Sequence, residues 1–237
     1  MPVTMLDHQF VAASEDGTSS CLSSEALARI AAVARTLRVP SGRTLFRKGD
    51  PGDGIYIILE GAVKVTLPAS GGQKVLLAIL GRGDVVGEMA LIDGPPRSAT
   101  VTAARPCDLC RLSPSRFDRL ANADAEIARL LLRVVTARLR ASNEAYVLKH
   151  MPLRVRLARA LMRLAHRFGE VLPDRRLLIR QKVSQTELGH MAGATRENVN
   201  RQLAEWQRTR MLSRISGYYC IEIPSAFEPL ARGDSAS

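Results

Sequence analysis

The amino-acid sequence predicts an α+β chain with three structured parts: an N-terminal antiparallel β-barrel, one long helix, and a C-terminal unit of short helices closed by a β-hairpin. Short apolar runs alternate with Gly, Pro and Asp turns over residues 39–112, and turns at this density are typical of an antiparallel barrel or sandwich. Apolar residues with helical spacing fill residues 122–150. Beyond Pro152 the sequence contains helix caps and a second hairpin pattern.

The composition is that of a packed protein with a strong positive charge. Of the 237 residues, 46% are hydrophobic and 24% are charged, which is ordinary for a chain with a sizeable core. The net charge of +11 favours a polyanionic partner, nucleic acid before an acidic membrane surface. The excess is concentrated in the last third, because residues 151–237 contain 15 Lys and Arg but 8 Asp and Glu.

Several classes of protein are excluded by patterns that the sequence lacks. It has no run of 18 apolar residues, which excludes a transmembrane helix, and its first 20 residues do not follow the pattern of a secretory signal. We therefore expect a cytoplasmic protein that does not enter a membrane. It has neither a phosphate-binding P-loop nor a nucleophile–base pair, so no enzyme is expected. Cys107 and Cys110 form a C-x-x-C without a second pair, so no metal site is expected.

The patterns divide the chain into four segments. They are an N-terminal arm, residues 1–22; the barrel domain, residues 23–121; a dimerisation helix, residues 122–151; and a C-terminal helical domain, residues 152–237. The barrel domain is expected to open with a short helix capped by Ser23 or Ser24, with Leu27, Ile30 and Ala31 on its apolar face. Further on, residues 55–59 and 62–67 predict a β-hairpin around Glu60-Gly61.

The long helix carries a heptad pattern. Alternating steps of four and three residues connect Ala128, Leu132, Val135, Leu139, Ser142, Tyr146 and Lys149. Such a stripe predicts that the helix pairs with a copy of itself, which makes a homodimer the expected assembly. A helix that packs onto its own barrel needs a stripe as well, and further apolar residues, among them Ile127 and Val134, supply a second face. Pro152 then ends the helix.

The C-terminal domain contains the signals of a winged helix-turn-helix. Ser184 and Glu187 fit a capping box at the start of one short helix, and Gly193 permits a tight turn after it. Thr195 caps a second helix that runs to about Arg208, and a hairpin follows it. Two helices joined by a Gly turn form a helix-turn-helix, and the hairpin supplies the wing.

The second of these helices carries side chains that can read DNA. Arg196, Glu197, Asn200 and Arg201 lie on its first two turns, the part that reaches base edges in this motif. Arg binds guanine through two hydrogen bonds, and Glu accepts one from cytosine. With the local positive charge, these residues and the caps Ser184 and Thr195 predict a double-stranded DNA interface. The alternative is a small helical hairpin whose charged face is only solvated.

The segment from Gly87 to Ala99 is the most informative part of the barrel. Gly87 permits a close backbone approach, and a short turn from Glu88 would expose N–H groups that suit a phosphate. Arg97 and Ser98 add a guanidinium and a hydroxyl for phosphate oxygens, whereas Glu88 suits a ribose hydroxyl. The set therefore fits a ribose that carries a phosphate. Replacing Arg97 with Ala is expected to abolish nucleotide binding with little loss of fold.

At this point the sequence resembles a known family. The pattern Gly87-Glu-Met-Ala-Leu-x₅-Arg97-Ser-Ala, which includes Met89, resembles the phosphate-binding cassette of cyclic-nucleotide-binding domains, which have a jelly-roll β-barrel. The barrel, the long helix and the Arg196-Glu-x₃-Arg201 pattern together resemble the CRP/FNR family of bacterial transcription regulators over about residues 24–223. The resemblance implies that Glu88 binds the ribose 2′-hydroxyl and that Arg97 and Ser98 bind the cyclic phosphate.

The resemblance also implies the effector, the partners and the site read on DNA. Ser142 and Asn143 match the positions that contact the nucleotide base across the dimer in this family. Cyclic AMP is the expected effector ahead of cyclic GMP, and the homodimer would bind a palindrome with TGTGA-like half-sites and contact RNA polymerase. The alternatives are a family member active on DNA without a nucleotide and a cyclic-nucleotide module that does not bind DNA. Cys21 is isolated and residues 9–149 contain no His, which disfavours the iron–sulfur and haem branches.

Overall fold

A computed structural model of the chain describes residues 29–30 and 32–233. The predicted arm, its flanking caps Ser23 and Ser24, and the apolar residues Leu27 and Ala31 lie outside the described residues. Ile30 is described, and its side chain is buried against the outer face of a β-sheet. Of the helices described here, none combines the length with the apolar character that a membrane span requires.

The N-terminal domain contains eight strands among the described residues. They are β1 (Arg35–Val39), β2 (Thr44–Phe46), β3 (Ile55–Glu60), β4 (Ala62–Pro68), β5 (Lys74–Gly81), β6 (Val85–Val86), β7 (Thr100–Ala103) and β8 (Cys107–Leu112). The short helix α1 (Glu88–Ile92) lies between β6 and β7, and a 3₁₀ turn at Ser70–Gly72 joins β4 to β5. All of the strand pairs are antiparallel.

These strands form two facing sheets and not the closed barrel that the sequence predicted. The first sheet has the order β1-β8-β3-β6 and the second β2-β7-β4-β5, and no ladder joins the two among the described residues. Side chains from both sheets, such as Ile58 and Val101, fill one apolar core between them. Closing a barrel requires a continuous ladder with a fixed stagger, whereas here the packing of two inner faces holds the sheets together.

The predicted hairpin around Glu60-Gly61 is wrong, because the two strands belong to different sheets. Strand β3 pairs with β8 and β6, and β4 pairs with β5 and β7. The chain crosses between the sheets at Gly61, where φ is 98° and a Cβ would lie 2.4 Å from the carbonyl oxygen of Pro106. Only glycine tolerates that conformation and that approach.

Two helices follow the sheets: α2 (Pro114–Ala123) and the long helix α3 (Ala125–Leu148). The side chain of Asp124 caps α3 by accepting a hydrogen bond from the backbone N–H of Glu126. One face of α3 packs against the outer face of the first sheet through the buried residues Ile127 and Val134. The heptad face predicted from the sequence is left exposed, so α3 has both of the apolar faces that were considered.

The C-terminal domain has the predicted winged helix-turn-helix. Its elements are α4 (Leu153–Phe168), β9 (Gly169–Val171), β10 (Leu177–Ile179), α5 (Gln185–Ala192), α6 (Arg196–Arg208), β11 (Leu212–Ile215), β12 (Tyr218–Ile221) and α7 (Pro224–Arg232). The capping box of Ser184 and Glu187, the left-handed Gly193 and the Thr195 cap are all confirmed. Helix α6 buries Val199, Leu203 and Trp206, and β11 and β12 form the wing.

The C-terminal domain packs against the outer face of the second sheet. Leu76 and Ile79 of β5 share one apolar core with residues of α4 and α5. Phe168 lies so close to β5 that a Cβ on Gly81 would be 2.8 Å from its ring. Polar contacts surround this core: the buried Asp84 pairs with Arg167, and the backbone N–H of Leu76 donates to Nδ1 of His190 over 3.1 Å. The two domains are therefore held together by apolar and polar contacts.

Candidate nucleotide cassette and nucleic-acid interface

The cassette begins at Gly87, which turns the chain from β6 into α1. Its φ is 84°, and a Cβ there would lie 2.2 Å from Nη1 of Arg97. The close approach that the sequence predicted at Gly87 is therefore made by the side chain of Arg97. Any larger residue at position 87 would displace this guanidinium, because both the backbone conformation and the space require glycine.

Arg97 is buried and bonded within its own loop. Its guanidinium donates to the carbonyl oxygens of Gly87 and Gly54 over 2.7 Å each, and to Oδ1 of Asp53 over 2.5 Å. It also lies 4.2 Å from the ring centre of Phe46, a cation–π contact. Its Nε has no partner among the described residues. Arg97 thus holds the loop together, and these contacts predict that its loss also lowers the stability of the fold.

Asp53 is a member of this cluster that the sequence analysis missed. Its carboxylate pairs with Arg97 and, over 2.7 Å, with Arg111 of β8, and it accepts a hydrogen bond from the hydroxyl of Tyr56. Burial, followed by the charge of Asp53, raises the pKa of Tyr56. The sequence contains one signal for this cluster, because Asp53 lies in the Gly-rich segment before β3. From the sequence alone, however, that segment predicts only a turn.

Glu88 is 1% exposed and is paired with Arg138 of the long helix. The guanidinium of Arg138 also donates to the carbonyl oxygen of Val85 over 2.5 Å. Burying a carboxylate is costly unless it is paired, and Arg138 supplies the charged partner of Glu88 beneath the cassette. The sequence does not single out Arg138, whose one signal is its position one helical turn before Ser142.

A small open cavity of about 40 Å³ lies beside α1. Its lining includes Gly87, Glu88, Met89, Ser98 and Arg138, together with apolar residues of both sheets. The Met89 side chain is exposed, and its sulfur lies 3.3 Å from the hydroxyl of Ser98. The structure thus brings four of the five predicted cassette residues to one cavity, and Arg97 is not among the residues that line it. A buried carboxylate, a guanidinium and a hydroxyl around one cavity can bind a polar ligand with hydroxyl and anionic groups.

Ser142 and Asn143 lie on α3, four and five residues after Arg138. Both are exposed, and no hydrogen bond joins them to the cassette among the described residues. Ser142 and Asn143 are connected to the cavity through α3, because Arg138 of the same helix lines the cavity. They share the exposed side of α3 with the apolar heptad residues.

The second candidate site is the outward face of α6. Arg196, Glu197, Asn200 and Arg201 are all exposed, on the side opposite the buried Val199, Leu203 and Trp206. The hydroxyl of Thr195 accepts from the backbone N–H of Asn198 over 3.4 Å, which fixes the start of the helix. A hydrogen bond from its own backbone N–H, and then one from Thr195, lowers the pKa of Glu197. Glu197 therefore remains an acceptor at neutral pH.

A polar contact joins this face to the preceding helix. Nε2 of Gln185, the first residue of α5, donates to Oδ1 of Asn200 over 2.8 Å. The sequence analysis named Asn200 but not Gln185, because the two residues are 15 positions apart and only the fold places them together.

The described residues include no group of three His, Cys, Asp or Glu side chains that could hold a metal ion. Cys107 and Cys110 lie on opposite faces of the first sheet, since Cys107 belongs to the core between the sheets and Cys110 to the core under α3. Cys21 lies outside the described residues.

Comparisons with known proteins match both domains. Residues 36–124 match the profile of the cyclic nucleotide-binding domain, and residues 155–227 match that of the Crp-like helix-turn-helix domain. A CRP-like cAMP-activated global transcriptional regulator from Mycobacterium tuberculosis is 34% identical over 183 residues, which cover 75% of this chain and 80% of that protein. The cAMP-activated global transcriptional regulator CRP of Salmonella typhimurium is 28% identical, covering 74% of this chain and 84% of that protein.

A solved structure has a fold similar to that of this chain. A CRP/FNR-family transcriptional regulator from Thermus thermophilus superposes with a TM-score of 0.72 at 22% identity, covering 85% of this chain and all of the other. The two matched domains therefore define a transcription regulator in which a cyclic-nucleotide-binding domain is joined to a helix-turn-helix domain. The chain belongs to the CRP/FNR family.

Proposed function

We propose that the protein is a homodimeric transcription regulator that binds cyclic AMP, in preference to cyclic GMP, and then a palindromic DNA site. The observation that carries the proposal is the contact between Glu88 and Arg138. It connects the cavity at α1 directly to α3, the helix that carries both the exposed heptad face and Ser142-Asn143. A ligand that changes this contact acts on the surface that pairs two subunits.

The nucleotide is assigned to the cavity lined by Glu88 and Ser98. Glu88 accepts from the ribose 2′-hydroxyl, and Ser98 and Arg97 bind the cyclic phosphate. Because Arg97 donates to Asp53, its engagement with the phosphate competes with this internal pair. Ser142 and Asn143 bind the base. Cyclic AMP is preferred because the relatives from Mycobacterium tuberculosis and Salmonella typhimurium are described as cAMP-activated.

The homodimer is supported by an uncovered apolar stripe on α3. Leu132, Val135, Leu139 and Tyr146 are 65%, 37%, 61% and 67% exposed, at the heptad spacing predicted from the sequence. Large apolar side chains at that spacing are the seam of a coiled coil. Burying them against a second copy removes an exposed patch of a kind that marks protein interfaces.

The DNA site is a palindrome close to TGTGA, six spacer bases and TCACA. Arg196 and Arg201 each bind a guanine, and Glu197 accepts from a cytosine on the opposite strand. A two-fold dimer places its recognition helices roughly 34 Å apart, a spacing for which CAP, the prototype of this family, is itself a standard example. As in the family, RNA polymerase is the further partner, and the protein acts in the cytoplasm.

The proposal is tested by selecting from a random DNA pool with cyclic AMP, with cyclic GMP and without nucleotide. Titration calorimetry measures the affinity for each nucleotide in parallel. We expect tighter binding of cyclic AMP and nucleotide-dependent enrichment of the palindrome. Equal enrichment without nucleotide would instead identify a regulator that is active without a ligand, and nucleotide binding without DNA enrichment would identify a module that does not bind DNA.

The assignment of bases to side chains is tested by measuring how tightly the Arg201→Ala variant binds the selected DNA site. The change should cost about 1–3 kcal/mol and relax the preference at one guanine. Arg208→Ala, in the last turn of the same helix, is the control and should leave every base preference unchanged.

A further inference from the structure

The contact between Gln185 and Asn200 lies on the exposed face of the helix-turn-helix. Gln185 is the first residue of α5, and Asn200 lies in the second turn of α6. Asn200 is exposed and Gln185 is half-buried, and their side-chain amides are 2.8 Å apart from Nε2 to Oδ1. Asn200 follows Arg196 by four residues and precedes Arg201 by one, so it belongs to the proposed DNA-reading face.

The two helices that carry this pair are held at a fixed distance. A Cβ on Gly189 of α5 would lie 2.6 Å from the carbonyl oxygen of Ala194, so the turn packs directly against the first helix. Beneath the pair, Leu188 and Val199 are fully buried in the domain core. The caps at Ser184 and Thr195 fix the first turn of each helix. The positions of both amides are therefore set by rigid elements.

The fold does not need this hydrogen bond. A neutral hydrogen bond contributes little net stability where water can replace it, and ordering two side chains costs conformational entropy. Neither residue belongs to the buried core, which Val199, Leu203 and Trp206 supply on the other side of α6. What the contact does achieve is to fix one orientation of the Asn200 amide on the outward face.

We infer that Gln185 is a positioning residue that holds Asn200 to read one adenine in the DNA half-site. This inference rests on the proposed DNA-binding function. Asn recognises adenine by accepting from N6 and donating to N7. The Gln185 hydrogen bond occupies one lone pair of Oδ1 and leaves the second lone pair and the Nδ2 donors for the base. Without Gln185, the amide can rotate and present its donor and acceptor in either order.

The test measures base preference, which a merely structural role would not change. The site selected by the wild-type protein is varied one base pair at a time, and the affinity of each variant site is measured in nucleotide-saturated conditions. We expect the wild-type protein to prefer adenine about tenfold at one position, in the range of a single bidentate contact. Asn200→Ala should remove this preference and leave the preferences for guanine intact.

Three further variants isolate Gln185. Gln185→Ala should remove the same adenine preference, and the double variant with Asn200→Ala should lose no more at that position than Asn200→Ala alone. Gln185→Glu keeps the size but accepts from Nδ2, which turns the Asn200 amide around, reverses the order of its donor and acceptor, and should remove the adenine preference. Gln202→Ala removes an amide of equal size that bonds Glu205 on the same helix, and it should change no base preference.

The outcomes separate this inference from the proposed function. If the wild-type protein enriches no DNA, the proposed function fails and the inference fails with it. If it binds DNA and Gln185→Ala keeps the adenine preference while Asn200→Ala loses it, Asn200 reads the base unaided and the positioning role is wrong. If neither variant changes any preference, the pair does not read bases at all. Thermal melting of each variant should match the wild type, and a lowered midpoint for Gln185→Ala would assign the contact a structural role instead.

Discussion

The guanidinium of Arg138 on the long helix pairs with the buried carboxylate of Glu88, the first residue of the cassette helix. The two residues are 50 positions apart in the chain, and this contact joins the nucleotide cavity to the helix with the exposed heptad face. A ligand can shift an equilibrium between two conformations only through contacts that differ between them. Under the proposed function the pair of Glu88 and Arg138 would be such a contact, because a ribose hydroxyl and a guanidinium would share the same carboxylate.

Removing Arg138 should destabilise the protein and weaken nucleotide binding together. Arg138→Ala leaves the Glu88 carboxylate buried without its charged partner, which should lower the free energy of unfolding by about 1–3 kcal/mol. Arg140→Ala, an exposed arginine on the same helix, is the matched control and should change it by less than about 0.5 kcal/mol. Chemical denaturation and calorimetry with cyclic AMP measure both effects, and equal stability of the two variants would contradict the buried pair.

Arg97→Ala should abolish nucleotide binding and also lower the stability. The change removes three hydrogen bonds and leaves Asp53 with Arg111 and the hydroxyl of Tyr56, which should cost about 2–3 kcal/mol. Arg97→Lys keeps the positive charge beside Asp53 and should recover part of the stability. It should not restore nucleotide binding, because an ammonium lacks the paired N–H donors with which a guanidinium would bind phosphate. Arg82→Ala, at an exposed turn of the same domain, serves as the control. A fully stable Arg97→Ala protein would show that the loop does not depend on this side chain.

The exposed stripe on α3 should be the subunit interface. Leu139→Asp places a charge where the proposed partner helix packs, and burying it unpaired is unfavourable, so the variant should sediment as a monomer. Thr136→Asp adds the same charge at an exposed position of α3 outside the heptad seam and should leave the dimer intact. Sedimentation velocity at several concentrations distinguishes them. A Leu139→Asp dimer of wild-type stability would exclude this seam.

The pair of Lys64 and Glu187, which connects the two domains, should make stability depend on pH in the acid range. Burial opposes ionisation of Glu187, but its bonds to the Lys64 ammonium and to Ser184 outweigh burial, and the pKa of Glu187 is lowered. A lowered pKa in the folded state means that the stabilisation is complete above the ordinary value, 4.5, and is lost as pH falls through the folded value.

Lys64→Ala tests this pH dependence. The variant should raise the pKa of Glu187, begin to lose stability at a higher pH than the wild type, and be about 1 kcal/mol less stable at pH 7. Lys74→Ala, an exposed lysine on β5, is the control. Denaturation midpoints between pH 3 and 7 measure the profiles, and identical profiles for Lys64→Ala and the wild type would contradict the contact.

The buried thiols should be unreactive in the folded protein. Burial raises the pKa of Cys220 to about 11, so at pH 8 about one thiol in a thousand is ionised, and the side chain is inaccessible as well. Cys107 and Cys110 are also buried, and burial raises the pKa of each. Iodoacetamide at pH 8 should modify all three only after denaturation in urea, as measured by peptide mass spectrometry. Modification of Cys220 in the native protein would show that its strand opens.

Features that depend on neighbouring residues follow from the amino-acid sequence alone. The capping box of Ser184 and Glu187, the glycine turns at Gly87 and Gly193, and the heptad spacing of α3 are local, because a cap joins residues three apart and a helix stripe repeats every three or four. The cassette and the recognition helix could be identified for the same reason, since each is a short continuous segment.

The way in which distant segments meet depends on packing across the whole fold. Ile57 pairs with Cys110 on β8 and not with the adjacent strand β4, because Gly61 sends the chain to the second sheet, and strand pairing depends on packing over long separations. The partners of Arg97 and Glu88 were decided in the same way, as was the contact of Gln185 with Asn200. A charged or amide side chain can bond any complementary group within reach, and the sequence does not state which groups the fold brings there.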